Sequence, residues 1–172
     1  NTAAFYPYYG LATSSIKMGC AAGLSSNPSQ SIAIGVSAGQ TSQSNCAVAI
    51  GSYAGQTTQG CSAVAIGQFA GSSTQGYYAV AIGLCAGKCS QNSSSVSIGW
   101  QAGKTHQGNN SVAVGLNAGL SYQYNGSVAI GQGAGQTNQA NNLGYAVAVG
   151  GYSGSNNQKP YSIAIGYFAG YC

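Results

Sequence analysis

The chain repeats one short pattern of apolar and small positions: an aliphatic residue, a small one, a second aliphatic and a glycine, as in Val48-Ala49-Ile50-Gly51 and Val64-Ala65-Ile66-Gly67. Alternation of this kind predicts a strand, because successive side chains of a strand point to opposite faces. The pattern starts at Ile16, Ile32, Val48, Val64, Val80, Val96, Val112, Val128, Val147 and Ile163, so ten copies follow at a spacing of 16 with one step of 19, near Asn141 to Tyr145. A fixed period of that size marks stacked supersecondary units.

Each copy continues with two variable residues, Ala, Gly and a polar stretch. Gly fills position four in all ten copies, from Gly19 to Gly166, and position eight in all ten, from Gly23 to Gly170. Two fixed glycines per copy exclude a long helix and suit a chain that bends between short strands. The predicted fold is all-β, a parallel β-solenoid (β-roll) of ten coils of about 16 residues, stacked at ~4.8 Å into a rod on the order of 50 Å long. Alternation places Val and Ile of positions one and three on one face and Ala on the other, and hydrophobicity assigns the aliphatics to the interior.

Three columns then run along the rod. Position twelve is Gln43, Gln59, Gln75, Gln91, Gln107, Gln123, Gln139 and Gln158, and stacked amides hydrogen-bond up and down a β-stack. Position two, with the aliphatics inside, becomes an outward strip of Ala33, Ala49, Ala65, Ala81, Ala113, Ala129, Ala148 and Ala164, with Ser97 among them and Lys17 the exception; small side chains let sheets approach, so the strip predicts a lateral packing surface. Position ten is largely Ser and Thr, from Ser25 to Thr137, interrupted by Cys89, Asn156 and Cys172. Aromatics gather before the first coil (Phe5, Tyr6, Tyr8, Tyr9) and at the variable corner (Tyr53, Phe69, Trp100, Tyr152, Tyr167, Phe168, Tyr171).

Charge changes the picture most. The 172 residues contain four Lys, no Arg, no Asp or Glu, and one histidine, His106. Without side-chain carboxylates there is no acid and base pair, no Ser-His-Asp triad and no oxygen cage for calcium or magnesium, so the reading is a non-enzyme with no cofactor. Lys17, Lys88, Lys104 and Lys159 are scattered, which argues against nucleic acid as a partner. No apolar run reaches the ~18 residues of a membrane helix. A chain with only 2% charged residues has little surface repulsion to keep copies apart, so self-association, as homopolymer or homotrimer, is expected.

Six cysteines without metal-ligand spacing predict disulfides and an extracellular, cell-surface or virion-surface location. Cys46 with Cys61, in successive coils, and Cys85 with Cys89, flanking Ala86-Gly87, are the intramolecular candidates. Cys20 and Cys172 fall at opposite ends of the rod and are candidates for an intermolecular bond. Asn92, Asn109 and Asn125 head Asn-x-Ser triplets and are possible glycosylation sites.

The runs Ser31-Ile32-Ala33-Ile34-Gly35, Ser111-Val112-Ala113-Val114-Gly115 and Ser127-Val128-Ala129-Ile130-Gly131, each followed by two residues and Ala, resemble the head repeat of YadA-like trimeric autotransporter adhesins and related viral fibre repeats. The resemblance covers residues 16 to 170. It implies a left-handed parallel β-roll, commonly trimeric, displayed on a cell or virion surface, with Val and Ile of the motif filling the coil interior.

Two regions follow: residues 1–15, a Tyr-rich cap or inter-subunit segment, and residues 16–172, the solenoid. The expected function is a structural subunit of an extracellular or virion-surface fibre that polymerises head-to-tail through uncapped solenoid ends with disulfide support. The alternative is the head of a trimeric adhesin or receptor-binding fibre that meets a host-surface or matrix ligand. An ice-binding solenoid, suggested by the hydroxyl column, is a third reading.

Overall fold

The structure is a computed structural model that describes residues 14–25, 29–141 and 143–171. The expected segment 1–15 therefore lies almost wholly outside the described residues, as does Cys172. The fold is a parallel β-solenoid. Its long sheet has ten strands in coil order, from Ile16–Met18 and Ile32–Ile34 through Ile163–Ile165. Every pairing is parallel and in register, position one on position one, as Val64 on Val80 and Ile66 on Ile82. The step of 19 keeps that register too, with Val128 on Val147. The extra residues lie between Ala140, whose carbonyl accepts from the amides of Leu143 and Gly144, and Tyr145, whose amide returns to Asn125 O.

The short sheet has five strands: Thr58–Gln59, Thr74–Gln75, Cys89–Gln91, Thr105–Gln107 and Ser121–Gln123. Single bridges carry its pairing outward, Gln43 on Gln59 at one end and Ser121 on Thr137 on Asn156 at the other.

The interior reverses the expected facing. Ala at position two is fully buried in the coils from Ala33 to Ala148 and 7% exposed at Ala164, whereas Val and Ile of positions one and three are half-buried or exposed. The Ala strip is therefore core, and it is not a lateral packing surface. Ala or Ser at positions seven and sixteen, such as Ala54, Ala63, Ala70 and Ala79, joins it there. Size is the reason. Glutamines of position twelve also point inward and are 0% to 7% exposed, and once an amide side chain fills each coil the space left opposite accepts a methyl group and little more.

The two glycine columns mark where this packing is tightest. At position eight, φ is 52° at Gly71 and a methyl there would lie 2.9 Å from Gln75 Cδ. At position four, φ is 121° at Gly67 and a methyl would lie 2.7 Å from the carbonyl oxygen of Gly83 in the next coil. Neither place admits a β-carbon, on conformational and on steric grounds.

Corners between sheets use left-handed backbone at non-glycine residues. Position six has φ between 53° and 62° in every coil, including Tyr53, Phe69, Cys85, Tyr152 and Phe168. Such a conformation costs about 1–2 kcal/mol per residue. It turns the amide to face the preceding coil, where Tyr53 N donates to Val36 O at 2.8 Å and Phe69 N to Ser52 O at 3.0 Å. Strand amides donate the other way, as Val64 N to Ala79 O at 2.9 Å, so each coil is bonded to both neighbours.

Candidate functional site

Function has to be sought on the outer columns, since the interior amides are buried and bond chiefly to one another and to backbone carbonyls. Gln59 Nε2 lies 2.8 Å from Val48 O, 3.3 Å from Ala63 O and 3.2 Å from Gln75 Oε1. Two amide protons thus serve three acceptors, and the glutamine gives buried carbonyls a second donor, as at Ala63 O, which also accepts from Val48 N at 2.9 Å. The ladder runs Gln43, Gln59, Gln75, Gln91 and again Gln107, Gln123, Gln139, Gln158. At the join, Ser97 Oγ donates to Gln107 Oε1 at 2.5 Å. The buried column presents nothing to a ligand.

Coil 1 is built differently. It has Lys17 at position two and Asn27 at position twelve. The Lys17 chain folds across the end of the interior, its Nζ donating to Gly23 O at 2.9 Å. A methyl on Gly23 would lie 2.8 Å from Lys17 Cε, the place that a glutamine amide takes beside position eight in later coils. An ammonium therefore closes this end of the alanine core.

Outside, the long sheet carries two aliphatic columns side by side over ten strands. Ile98 is 38% exposed and Ile130 39%, rising to 72% at Ile163 and 67% at Ile165 in the last strand. Leu84 and Trp100, both exposed, stand in the adjoining position-five column and widen the apolar face.

The intramolecular candidates are not bonded: Cys46, Cys61, Cys85 and Cys89 are free cysteines, and Cys20 has no disulfide within the described chain. Cys46 Sγ points back to Gln30 Oε1 of coil 1 at 3.4 Å, away from coil 3, where Cys61 lies. Positions fourteen and fifteen are separate columns, and stacking aligns Cys46 with Gln30 and Ser62, not with Cys61. Cys85 sits at a left-handed corner (φ 58°) while Cys89 opens a strand of the short sheet. The Cys20 to Cys172 candidate rests on a residue outside the described set.

Of the Asn-x-Ser triplets, Asn109 and Asn125 stack, and all three asparagines are exposed. Asn109 Oδ1 accepts from Ser93 N at 3.1 Å and Asn125 Oδ1 from Asn109 N at 2.8 Å, which ties one corner to the next and leaves the amide nitrogens outward. In the hydroxyl column Thr105 Oγ1 donates within the rod, with Ser121 Oγ at 3.0 Å and Leu120 O at 3.2 Å.

Aromatic rings pair along the axis where left-handed corners repeat. Tyr53 stacks on Phe69 at 5.0 Å with Lys88 Nζ 5.0 Å from the Phe69 ring, and Tyr152 stacks on Phe168 at 5.3 Å. Sequence inspection missed a further pair at position eleven, His106 on Tyr122 at 4.8 Å. Their identical place in successive coils was the available signal.

Comparison with protein-family models, with curated proteins and with solved structures finds no match to this chain.

Proposed function

We propose that the chain is a structural rod of an extracellular or virion-surface fibre, and that copies associate side by side through the aliphatic face of the long sheet. One observation carries this reading: Val and Ile of ten in-register strands stand outside the core. Ten strands at ~4.8 Å and two columns give an apolar strip on the order of 500 Å², at the upper end for a soluble monomer. Near-absence of charge removes the repulsion that would oppose contact. The likeness of the Ser-Val-Ala-Ile-Gly runs to YadA-like head repeats, commonly trimeric, supports a closed trimer and a place on a cell or virion surface.

The test is mass by light scattering across a concentration series, for the native chain and for Ile66→Lys combined with Ile98→Lys. A trimer that becomes a folded monomer in the double variant is the expected outcome. A native chain that stays monomeric at high concentration overturns the reading.

End-to-end polymerisation is the second reading. Among the described residues, Ile16–Met18 and Ile163–Ile165 each pair on one side, and the same register would join them. Lys17 opposes it, since a second copy stacked on coil 1 would bury the ammonium at a cost of several kcal/mol. Electron microscopy separates the two: long rods that shorten on adding reductant support end-to-end growth through Cys20 and Cys172.

A further inference from the structure

A groove of about 290 Å³ crosses coils 5 to 7 on the short sheet, between positions eleven and thirteen. Its wall is the stacked pair His106 and Tyr122, its floor includes Gly108, and Asn92, Tyr124 and Asn125 line it further. The groove exists because the columns change there. Position eleven is Ser42, Thr58, Thr74 and Ser90 in earlier coils and then turns to rings; position thirteen is Gly at Gly60, Gly76 and Gly108 but Asn92 and Tyr124 on either side of Gly108.

Register fixes what the groove offers. Cys89 pairs with Thr105 and Gln91 with Gln107, so Ser90 lies directly across from His106. Tyr122 covers one face of the imidazole, and the small Ser90 leaves the other face open. A flat ring seated over Ser90 would extend the stack by one coil step. Around that place the side-chain amide of Asn92, the hydroxyls of Ser90, Tyr122 and Tyr124, and Asn125 Nδ2 have no hydrogen-bond partner among the described residues, and no Lys lines the groove.

We propose that this groove binds one ring of a neutral saccharide. A pyranose presents a face of C–H bonds to an aromatic plane and a rim of hydroxyls to amides and hydroxyls, the two kinds of group the groove supplies; its small volume and the absence of a fixed charge suit a single uncharged unit. A purely apolar aromatic ligand would use the imidazole face and leave the polar rim unmatched. The two sheets lie on opposite sides of the interior, where position two of one meets position twelve of the other. The groove is thus on the side away from the aliphatic face and stays open when copies associate, so the site stands or falls independently of the assembly.

The experiment is saturation-transfer NMR on the full chain with methyl glycosides of glucose, galactose, mannose and N-acetylglucosamine, and with N-acetyl-tyrosinamide as the aromatic alternative. At least one glycoside is expected to receive saturation. Its affinity should fall at least tenfold in His106→Ser, which installs the residue this column already uses at Ser42 and Ser90 with φ of 56° and 57°. Ser90→Tyr completes the ring stack, fills the vacancy and should abolish binding while the melting temperature holds or rises. Absence of transfer to all four glycosides overturns the proposal, as does transfer undiminished in both variants or binding of the tyrosine amide alone.

Discussion

The long and the short sheet close on one interior, yet they distribute bulk in opposite ways. The long sheet turns Ala inward and Val or Ile outward; the short sheet turns Gln inward and Ser, Thr or an aromatic outward. Inside, an amide is admitted and an isoleucine is not. The difference teaches that this interior is limited by volume before polarity: a glutamine fits because its amide finds acceptors in the carbonyls of Val48 and Ala63 and in the next glutamine, while the facing strand contributes methyl groups.

The most direct way to break that comparison is to exchange bulk across one strand. Ala65→Ile puts three carbons into a column whose neighbours are Ala49 and Ala81; overpacking costs about 1–3 kcal/mol in ordinary cores and should reach about 3 kcal/mol or more here. Ile66→Ala removes a half-buried side chain and should cost about 1 kcal/mol. Chemical denaturation of both variants checks the ranking. A larger loss in Ile66→Ala would put the aliphatics back inside.

The short sheet gives the second contrast. Gln75→Ala takes the donor from Gln91 Oε1 and the side-chain donor from Val64 O and Ala79 O, and leaves a void. The expected loss is about 2–4 kcal/mol. Thr74→Ala, on the exposed side of the same strand, should change stability by about 0.5 kcal/mol or less. Equal effects would mean that the amide column is not the internal scaffold.

Much of this architecture was legible in the chain. Period, parallel stacking, the glycine columns and the glutamine ladder follow from residues that recur at fixed places, such as Gly35, Gly51 and Gln43. Facing did not follow. Alternation says which residues share a face, and hydrophobicity, which settles the question in most sheets, points the wrong way when the interior is too narrow for Ile66. Invariance in size was the better guide: positions two, seven and sixteen stay Ala or Ser in nearly every coil because the core repeats, whereas positions five and six range from Gly151 and Ser37 to Trp100 and Tyr53. The Cys46 and Cys61 pairing fails because a spacing of 15 places the two in neighbouring columns, while stacking acts within a column. The groove at His106 depends on what stands one coil away, and that is visible once register is known.

Ser97 offers the finest test, where the two sheets compete for one acceptor. It replaces Ala in the column, and its hydroxyl takes Gln107 Oε1, the oxygen that in coils 3 to 5 and 7 to 9 accepts from the preceding glutamine. The apolar core divides at the same level, into alanines from Ala33 to Ala86 and from Ala102 to Ala148. Ser97→Ala gives up one buried hydrogen bond and lets Gln91 Nε2 reach Gln107 Oε1, so the net change in stability should lie within about 1 kcal/mol. Cooperativity should respond more than stability. In a solenoid each coil couples to its neighbours, and a weak interface lets the two sides open separately; a continuous ladder would steepen the denaturation transition while its midpoint barely moves. A loss well above about 2 kcal/mol would show instead that the serine hydroxyl holds the two halves together, and that the long sheet contributes polar bonding to the interior as the short one does.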